Sequence, residues 1–246
     1  MNTICFDTSG PRGCVTLVQN ERIVASMELS RVYGHNETLL PAISILLDQA
    51  DVSPGELGRI LFVRGPGSFT GLRIGIAVAY GFLAANPELD LVGYTSLYLL
   101  NRVAIKTGQN RVLSLIDARK KQVYAAFFEN DAPVSPYAVL KPEMLPDFLQ
   151  NNGISHNPFS MIGSALEPYG ELLTQFFPQC TQLPPPSCLS SLLAETLQDP
   201  SPGESPSIEP VYIRKSDAEP NRNKTSQNGF RICSETPSFN RTRMFF

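Results

Sequence analysis

Arg59-Ile60-Leu61-Phe62-Val63-Arg64-Gly65-Pro66-Gly67-Ser68-Phe69-Thr70-Gly71-Leu72-Arg73-Ile74-Gly75-Ile76-Ala77-Val78-Ala79-Tyr80-Gly81 decides the fold of this 246-residue chain. Ile60 to Val63 is a short apolar run, β-branched and aromatic, of the kind that makes a buried strand. Gly65-Pro66-Gly67 ends it, because glycine reaches backbone angles closed to other residues and proline fixes its own. Ser68 or Thr70 can then cap a helix by accepting a bond from its first free amides. That helix carries Gly71, Gly75 and Ala79 four residues apart on one face, a row of small side chains that lets another backbone come close. The unit is strand, tight turn, helix.

Spacing excludes two familiar phosphate-binding motifs. The glycines read G-x-G-x-x-x-G. A dinucleotide fingerprint needs G-x-G-x-x-G, and a phosphate loop ends in Gly-Lys-Ser/Thr, whereas Gly71 is followed by Leu72-Arg73. Amides at the helix start can still attract an anion; equally, the glycines can serve packing alone. About a dozen apolar residues follow Arg73, fewer than the roughly 20 that span a bilayer. A tight helix contact in water is therefore expected, and no membrane.

Hydrophobic content of 42% with 17% charged residues fits a soluble globular protein with an ample core. No basic segment followed by an apolar one opens the chain, since Asp7 falls where such a run would lie, so a cytoplasmic location is expected. Cys5, Cys14, Cys180, Cys188 and Cys233 form no C-x-x-C pair and are odd in number, which points to neither a disulfide framework nor a zinc site. Residues 215–246 hold six Lys/Arg against three Asp/Glu, a net +3, leaving −6 on residues 1–214 of a chain whose total is −3. An acidic body is unlike a lone nucleic-acid-binding domain, so a nucleic-acid role would run through a partner.

Along the chain, Thr3–Phe6, Cys14–Val18 and Arg22–Leu29 read as a three-stranded meander, the first strand ending in Asp7-Thr8-Ser9. Asn36–Ala50 places Leu39, Leu40, Ile43, Leu46, Leu47 and Ala50 at helical spacing. Ser53-Pro54 opens a brief helix; Leu91–Gly93 reads as a strand and Ser96–Lys106 as a helix. Arg111–Ile116 and Gln122–Phe128 form a hairpin through Asp117-Ala118-Arg119-Lys120-Lys121, whose charges either bind an anion or make a solvated tip with a local ion pair. Glu143–Leu149, Glu167–Phe177 and Cys188–Leu197 read as helices, Phe159–Gly163 and Pro210–Arg214 as strands. Residues 215–246 are rich in Asn, Ser, Arg and Lys and bury too little to offset ordering entropy, so a disordered tail is expected.

The run Arg64 to Gly75, together with Asp7-Thr8-Ser9, Gly34-His35-Asn36-Glu37-Thr38-Leu39-Leu40-Pro41 and Ile116-Asp117-Ala118-Arg119-Lys120-Lys121-Gln122-Val123-Tyr124, resembles the bacterial TsaB (YeaZ) family. The likeness covers about residues 1–214. It implies an α/β, two-lobed actin-like/Hsp70-like ATPase fold (ASKHA, ribonuclease H-like). The first lobe would span 1–105, with a terminal helix returning to it, and the second 106–214, followed by the tail 215–246.

The resemblance further implies a non-catalytic subunit needed for the N6-threonylcarbamoyladenosine (t6A) modification of tRNA. It would act in a heterodimer with a TsaD-type catalytic subunit, alongside a TsaE-type ATPase, and would touch tRNA only through the complex. Alone it would form a homodimer. Partner contacts are expected at His35, Thr38, Leu39, Ile43, Phe69, Thr70, Arg73, Ile74, Gly75 and Ala79, with the alternative that Gly71, Gly75 and Ala79 face the protein's own sheet. No cofactor would be required. Asp7, Thr8 and Ser9 lie where the fold's nucleotide site would be, which allows weak ATP or ADP binding; from the residues alone they read as a polar strand end bonding its own turn. Gly163-Ser164 resembles the place where such folds approach adenosine, and is also ordinary turn chemistry. A TsaD-type catalytic subunit needs an H-x-x-x-H metal pair on a helix like that at 36–50, and His35 and His156 are the only histidines, so no metal is expected. The rival reading is an ATP-binding enzyme of the ASKHA class, kinase or glycoprotease-like. A protease needs a nucleophile with its base, or a metal, and a kinase needs a phosphate loop besides Asp7.

Overall fold

The computed structural model describes residues 1–29, 34–155, 157–186, 188–197, 207–213 and 231–232. The expected meander is β1 (Asn2–Asp7), β2 (Cys14–Gln19) and β3 (Arg22–Glu28), all antiparallel. Helix α1 (His35–Gln49) and a 3-10 turn at Pro54–Glu56 lead to β4 (Leu57–Val63), which joins β1 in parallel; α2 (Phe69–Ala85) leads to β5 (Asp90–Tyr94), parallel to β4. The sheet order is β3-β2-β1-β4-β5. Of the two candidate caps, Ser68 and Thr70, it is Ser68 that caps α2, accepting the Gly71 amide at 3.2 Å.

After α3 (Ser96–Lys106) the same construction repeats. A second sheet is built from β6 (Arg111–Asp117), β7 (Val123–Glu129), β8 (Ala132–Pro133), β9 (Ala138–Leu140), β10 (Ser160–Ile162), β11 (Thr181–Leu183) and β12 (Arg231–Ile232). Helices α4 (Leu145–Asn151), α5 (Leu166–Phe176) and α6 (Ser190–Thr196) punctuate it. Its path β9-β7-β6-β10-β11 reproduces the first sheet strand for strand, with two antiparallel and then two parallel pairings. This duplicated α/β unit is the actin-like, ribonuclease H-like fold.

Alternation along the strands assigns three apolar layers. Ile4 and Phe6 of β1 and Ile60 and Phe62 of β4 point to one face, where they meet Leu39, Ile43, Leu46 and Leu47 of α1 and Ala79 of α2. Val123, Ala125 and Phe127 of β7 point to the far face of the second sheet, against Phe148 of α4 and Leu173 of α5. The intervening residues, Cys5, Leu61, Val63, Tyr124, Ala126 and Phe128, close on one shared core with Leu97 to Leu99 of α3 and Leu192 to Ala194 of α6. Both faces of the central strands β1, β4, β6 and β7 are thus covered, which is why they are continuous apolar runs rather than alternating ones. Helix α6 returns to the first sheet, packing on β1, β2 and β4.

Three expectations are modified. The closing strand at Pro210–Arg214 is instead an extended strap without a ladder. Ser207 donates to the Gly93 carbonyl at 3.0 Å and Val211 to that of Arg64 at 2.8 Å, while Arg214 lies outside the described residues. A side chain at Gly65, whose φ is +107°, would run into the Val211 carbonyl 2.8 Å away, so the turn glycine makes room for the strap. The expected unstructured stretch 215–246 lies outside the described residues except Arg231–Ile232, which pairs with β9. The short strands β9 and β11 were not anticipated, because three-residue runs carry almost no periodic signal. Among the described residues no helix is long and apolar enough to cross a membrane.

Candidate functional site

A cleft of about 1110 Å³ opens between the two halves, where the strand ends of both sheets meet. One wall is the β1–β2 turn (Ser9, Gly10, Pro11) and the start of α2 (Ser68, Phe69, Thr70, Leu72). The other is the β6–β7 tip (Asp117 to Lys120), Ser164 and Glu167; the strap residues Val211 to Ile213 complete it. At the rim Tyr212 packs on Phe69 with ring centroids 5.3 Å apart, and the Arg73 guanidinium lies 3.9 Å above the centre of the same Phe69 ring.

The duplication places Asp7 and Asp117 at equivalent strand ends. Each accepts the amide two residues on, Asp7 from Ser9 at 2.7 Å and Asp117 from Arg119 at 2.9 Å. Their surroundings differ. Asp117 keeps an ion pair with Arg119 at 3.3 Å at the cleft wall, and Arg119, Lys120 and Lys121 all hold positive φ, making a tight tip from residues that rarely adopt it. Asp7 is buried, and that burial pushes its carboxyl up to about 6 against the pull of the Ser9 hydrogen bonds.

Asp7-Thr8-Ser9 stands in the structure as a polar strand end that bonds within the fold. Thr8 is 1% exposed and its hydroxyl donates to the Gly71 carbonyl at 2.8 Å. The Asp7 carboxylate is engaged by its own turn, and of the three only Ser9 lines the cleft. The cleft has room for a nucleotide, with Ser9 at its wall and Asp7 and Thr8 behind it, bonded within the fold. Among the described residues no group of three His, Cys, Asp or Glu side chains comes together as a metal site; His156 lies outside them.

The residues expected to meet a partner divide into two sets. Leu39 and Ile43 are 1% exposed and belong to the core. Gly75 and Ala79 are buried as well, so the alternative with the small row facing its own sheet holds. A side chain at Gly71 would collide with the Thr8 carbonyl, and one at Gly75 with Thr8 Oγ1 at 2.5 Å and the Phe6 ring at 3.3 Å. Ile74 is half-buried against the same core. His35 turns inward, its Nε2 donating to the Gly10 carbonyl at 3.0 Å, with Nδ1 buried and lacking a partner. Thr38 donates to Gly34 in its own first turn at 3.1 Å. Phe69 sits half-buried at the cleft rim, leaving Thr70 and Arg73 outward.

What the helices do present is a different apolar set. On α1 Leu40 and Ile45 are 51% and 42% exposed, and on α2 Tyr80 is 40% exposed beside exposed Ala77, Gly81 and Ala84. Arg73 is the single charged residue among the seventeen of α2. Sequence reasoning missed this face because the strongest periodic stripe is the one a helix buries in its own core. The available signal was the opposite face, which in α2 lacks the charges a solvated helix carries.

Comparison with known proteins gives this geometry its relatives. Residues 24–181 match the family model described as "TsaD: tRNA N6-adenosine threonylcarbamoyltransferase". The Escherichia coli tRNA threonylcarbamoyladenosine biosynthesis protein TsaB is 35% identical over 61% of this chain and 67% of its own length. The Bacillus subtilis TsaB is 28% identical over 52% of this chain, and the match spans little more than half, 56%, of that protein. Among solved structures, YeaZ from Pseudomonas aeruginosa superposes with a TM-score of 0.62 at 27% identity, covering 86% of this chain and 99% of that one. A second Pseudomonas aeruginosa structure, described as similar to peptidase YeaZ, reaches 0.65 at 26% identity over 87% and 99%. The duplicated sheets, the strand-turn-helix unit at 59–81 and these relatives agree that the chain belongs to the TsaB (YeaZ) family.

Proposed function

We propose that the protein serves tRNA threonylcarbamoyladenosine biosynthesis as a non-catalytic subunit, binding a TsaD-type catalytic protein through the outward faces of α1 and α2. The observation that carries this reading is the exposed apolar face of a helix with one charged residue in seventeen, packed beside α1 with its own exposed Leu40 and Ile45. Such a face is costly to leave in water and suits a helical partner. The family membership supplies the pathway. A TsaE-type ATPase works alongside it, tRNA is reached only within the complex, and the work is done in the cytoplasm. In the absence of its partner the same face pairs two copies of the chain.

No cofactor is required for this role. ATP or ADP enters the cleft only weakly, since Asp7 and Thr8 are engaged within the fold. The deciding experiment mixes the chain with the TsaD-type protein of the same organism and measures mass by light scattering. A one-to-one complex that consumes the homodimer is expected. Two non-interacting species, or steady ATP hydrolysis by the isolated chain, would favour an independent enzyme of the same fold.

A further inference from the structure

The face of the first sheet that meets α6 carries a polar row within an apolar layer. Cys14, Thr16 and Val18 fall on one side of β2, and Ser26 of β3 lies opposite Thr16. Thr16 Oγ1 is 2.9 Å from Ser26 Oγ and 2.7 Å from Ser190 Oγ at the start of α6. Ser190 in turn touches two sulfurs. Its amide donates to Cys14 Sγ at 3.4 Å, and its hydroxyl is 3.0 Å from Cys188 Sγ. Two cysteines far apart in the sequence are therefore held on either side of one serine.

Their surroundings make the two thiols unlike. Cys14 is 2% exposed, whereas Cys188 is half-buried. The Cys188 thiolate is stabilised first by the Cys14 thiol and then, against burial, by the Ser190 hydroxyl and the amides of Ser191 and Ser190, which brings it down to about 5. The same contact, together with burial and the nearby Asp7 charge, keeps Cys14 protonated. Burial pushes the Cys5 and Cys180 thiols up. A low thiolate beside a protonated, sequestered thiol is the pairing of an attacking and a resolving cysteine.

We propose that Cys188 is a site of reversible thiol modification by low-molecular-weight disulfides, resolved by Cys14 to an intramolecular Cys14–Cys188 disulfide. The Cys188 thiolate attacks one sulfur of the reagent, forming a mixed disulfide and expelling one thiolate. Capping removes the Cys188 negative charge that helped hold the Cys14 proton; Cys14 gives that proton to the first expelled thiolate, attacks the Cys188 sulfur as a thiolate and expels the second thiolate. Two protein thiols are oxidised by two electrons and one disulfide is reduced to two thiols. The product ties the loop before α6 to β2, fixing the returning helix on the first sheet.

The test treats the full chain with oxidised glutathione, blocks free thiols with N-ethylmaleimide under denaturing conditions and maps the peptides by mass spectrometry. A Cys14–Cys188 crosslink is expected, with the intact mass before alkylation lower by about 2 Da for the two hydrogens lost and restored by dithiothreitol. Cys188→Ser should abolish the crosslink, and Cys14→Ser should accumulate the glutathione adduct on Cys188. The wild-type map alone decides the matter if Cys14→Ser fails to fold. A persistent adduct on Cys188 with Cys14 still alkylated, a crosslink to Cys5, Cys180 or Cys233 instead, or an unreacted Cys188 would each overturn the assignment.

Discussion

Thr8 donates its hydroxyl to the Gly71 carbonyl at 2.8 Å, and this bond seats the first turn of α2 directly on the end of β1. The close approach is what the small row serves. With Thr8 and Phe6 against the helix, positions 71 and 75 have no space for a Cβ, and Ala79 fills the remaining gap at 0% exposure.

Gly75→Leu and Ala79→Leu are therefore expected to act on stability. Overpacking a close contact of this kind costs about 3 kcal/mol, which for a chain of this size lowers Tm by roughly 6–12 °C. Affinity of the folded fraction for a TsaD-type partner should stay unchanged. Calorimetry and titration on the same samples check both parts, and weakened binding at unaltered Tm would move the row back to the interface.

Asp7 gives a pH dependence whose sign follows from its burial. The folded carboxyl titrates at about 6, above its ordinary value of 3.8, so the folded state holds the proton more tightly. That contribution is fully present below the unfolded value and is lost as pH rises through about 6. Asp7→Asn keeps an oxygen for the Ser9 amide and removes the buried charge. It should stabilise the protein at pH 8 by about 1–3 kcal/mol and leave it nearly unchanged at pH 4. Urea melts at the two pH values test this, and equal effects at both would mean that the carboxylate is not desolvated.

The sequence made the strand-turn-helix at 59–81, the meander and the long helices legible because each carries a whole period of apolar residues and a turn its chemistry demands. Residue type offered Ser68 or Thr70 as the cap, and Ser68 accepts the Gly71 amide. The three-residue strands β9 and β11 were not legible, and the two lobes were read from the family resemblance alone, because the duplication lives in strand order rather than in any repeated string. The site was legible only by place. Asp7, Thr8 and Ser9 were located at a strand end beside the cleft, but whether a polar side chain faces a ligand or its own turn depends on contacts such as Thr8 to Gly71, which no local pattern encodes. Leu39 and Ile43 illustrate the same limit, since the stripe that identifies a helix is the stripe it hides.

Outward substitutions should do what inward ones do not. Tyr80→Glu or Ile45→Glu places a charge on the exposed apolar face, so Tm should change by no more than a degree or two, about 0.5 kcal/mol. Affinity for a TsaD-type partner should fall by about tenfold to a hundredfold, the loss of a buried anchor at an interface. Isothermal titration measures it. Full affinity in both variants would exclude this face as the contact.

The strap supplies the last expected outcome, because it is the one described segment after α6 that closes the core. Val211 and Ile213 are each 8% exposed and enter the shared core. Val211 donates its amide to Arg64 and Ser207 its own to Gly93, and the Tyr212 ring packs at a tilt on Phe69 over the cleft. Burying two such branched side chains contributes about 1.5–3 kcal/mol each, part of it offset by the entropy of ordering the segment. A chain ending at residue 197 should thus lose about 3 kcal/mol, or roughly 6–12 °C of Tm. One ending at residue 214 gives up, of the described elements, only the two-residue β12, and should melt within a few degrees of the full chain, under about 1 kcal/mol. Calorimetry on the three lengths separates the cases. Equal losses in both shortened chains would place the anchoring beyond residue 214, and no loss in either would mean that the strap rests on the core without holding it.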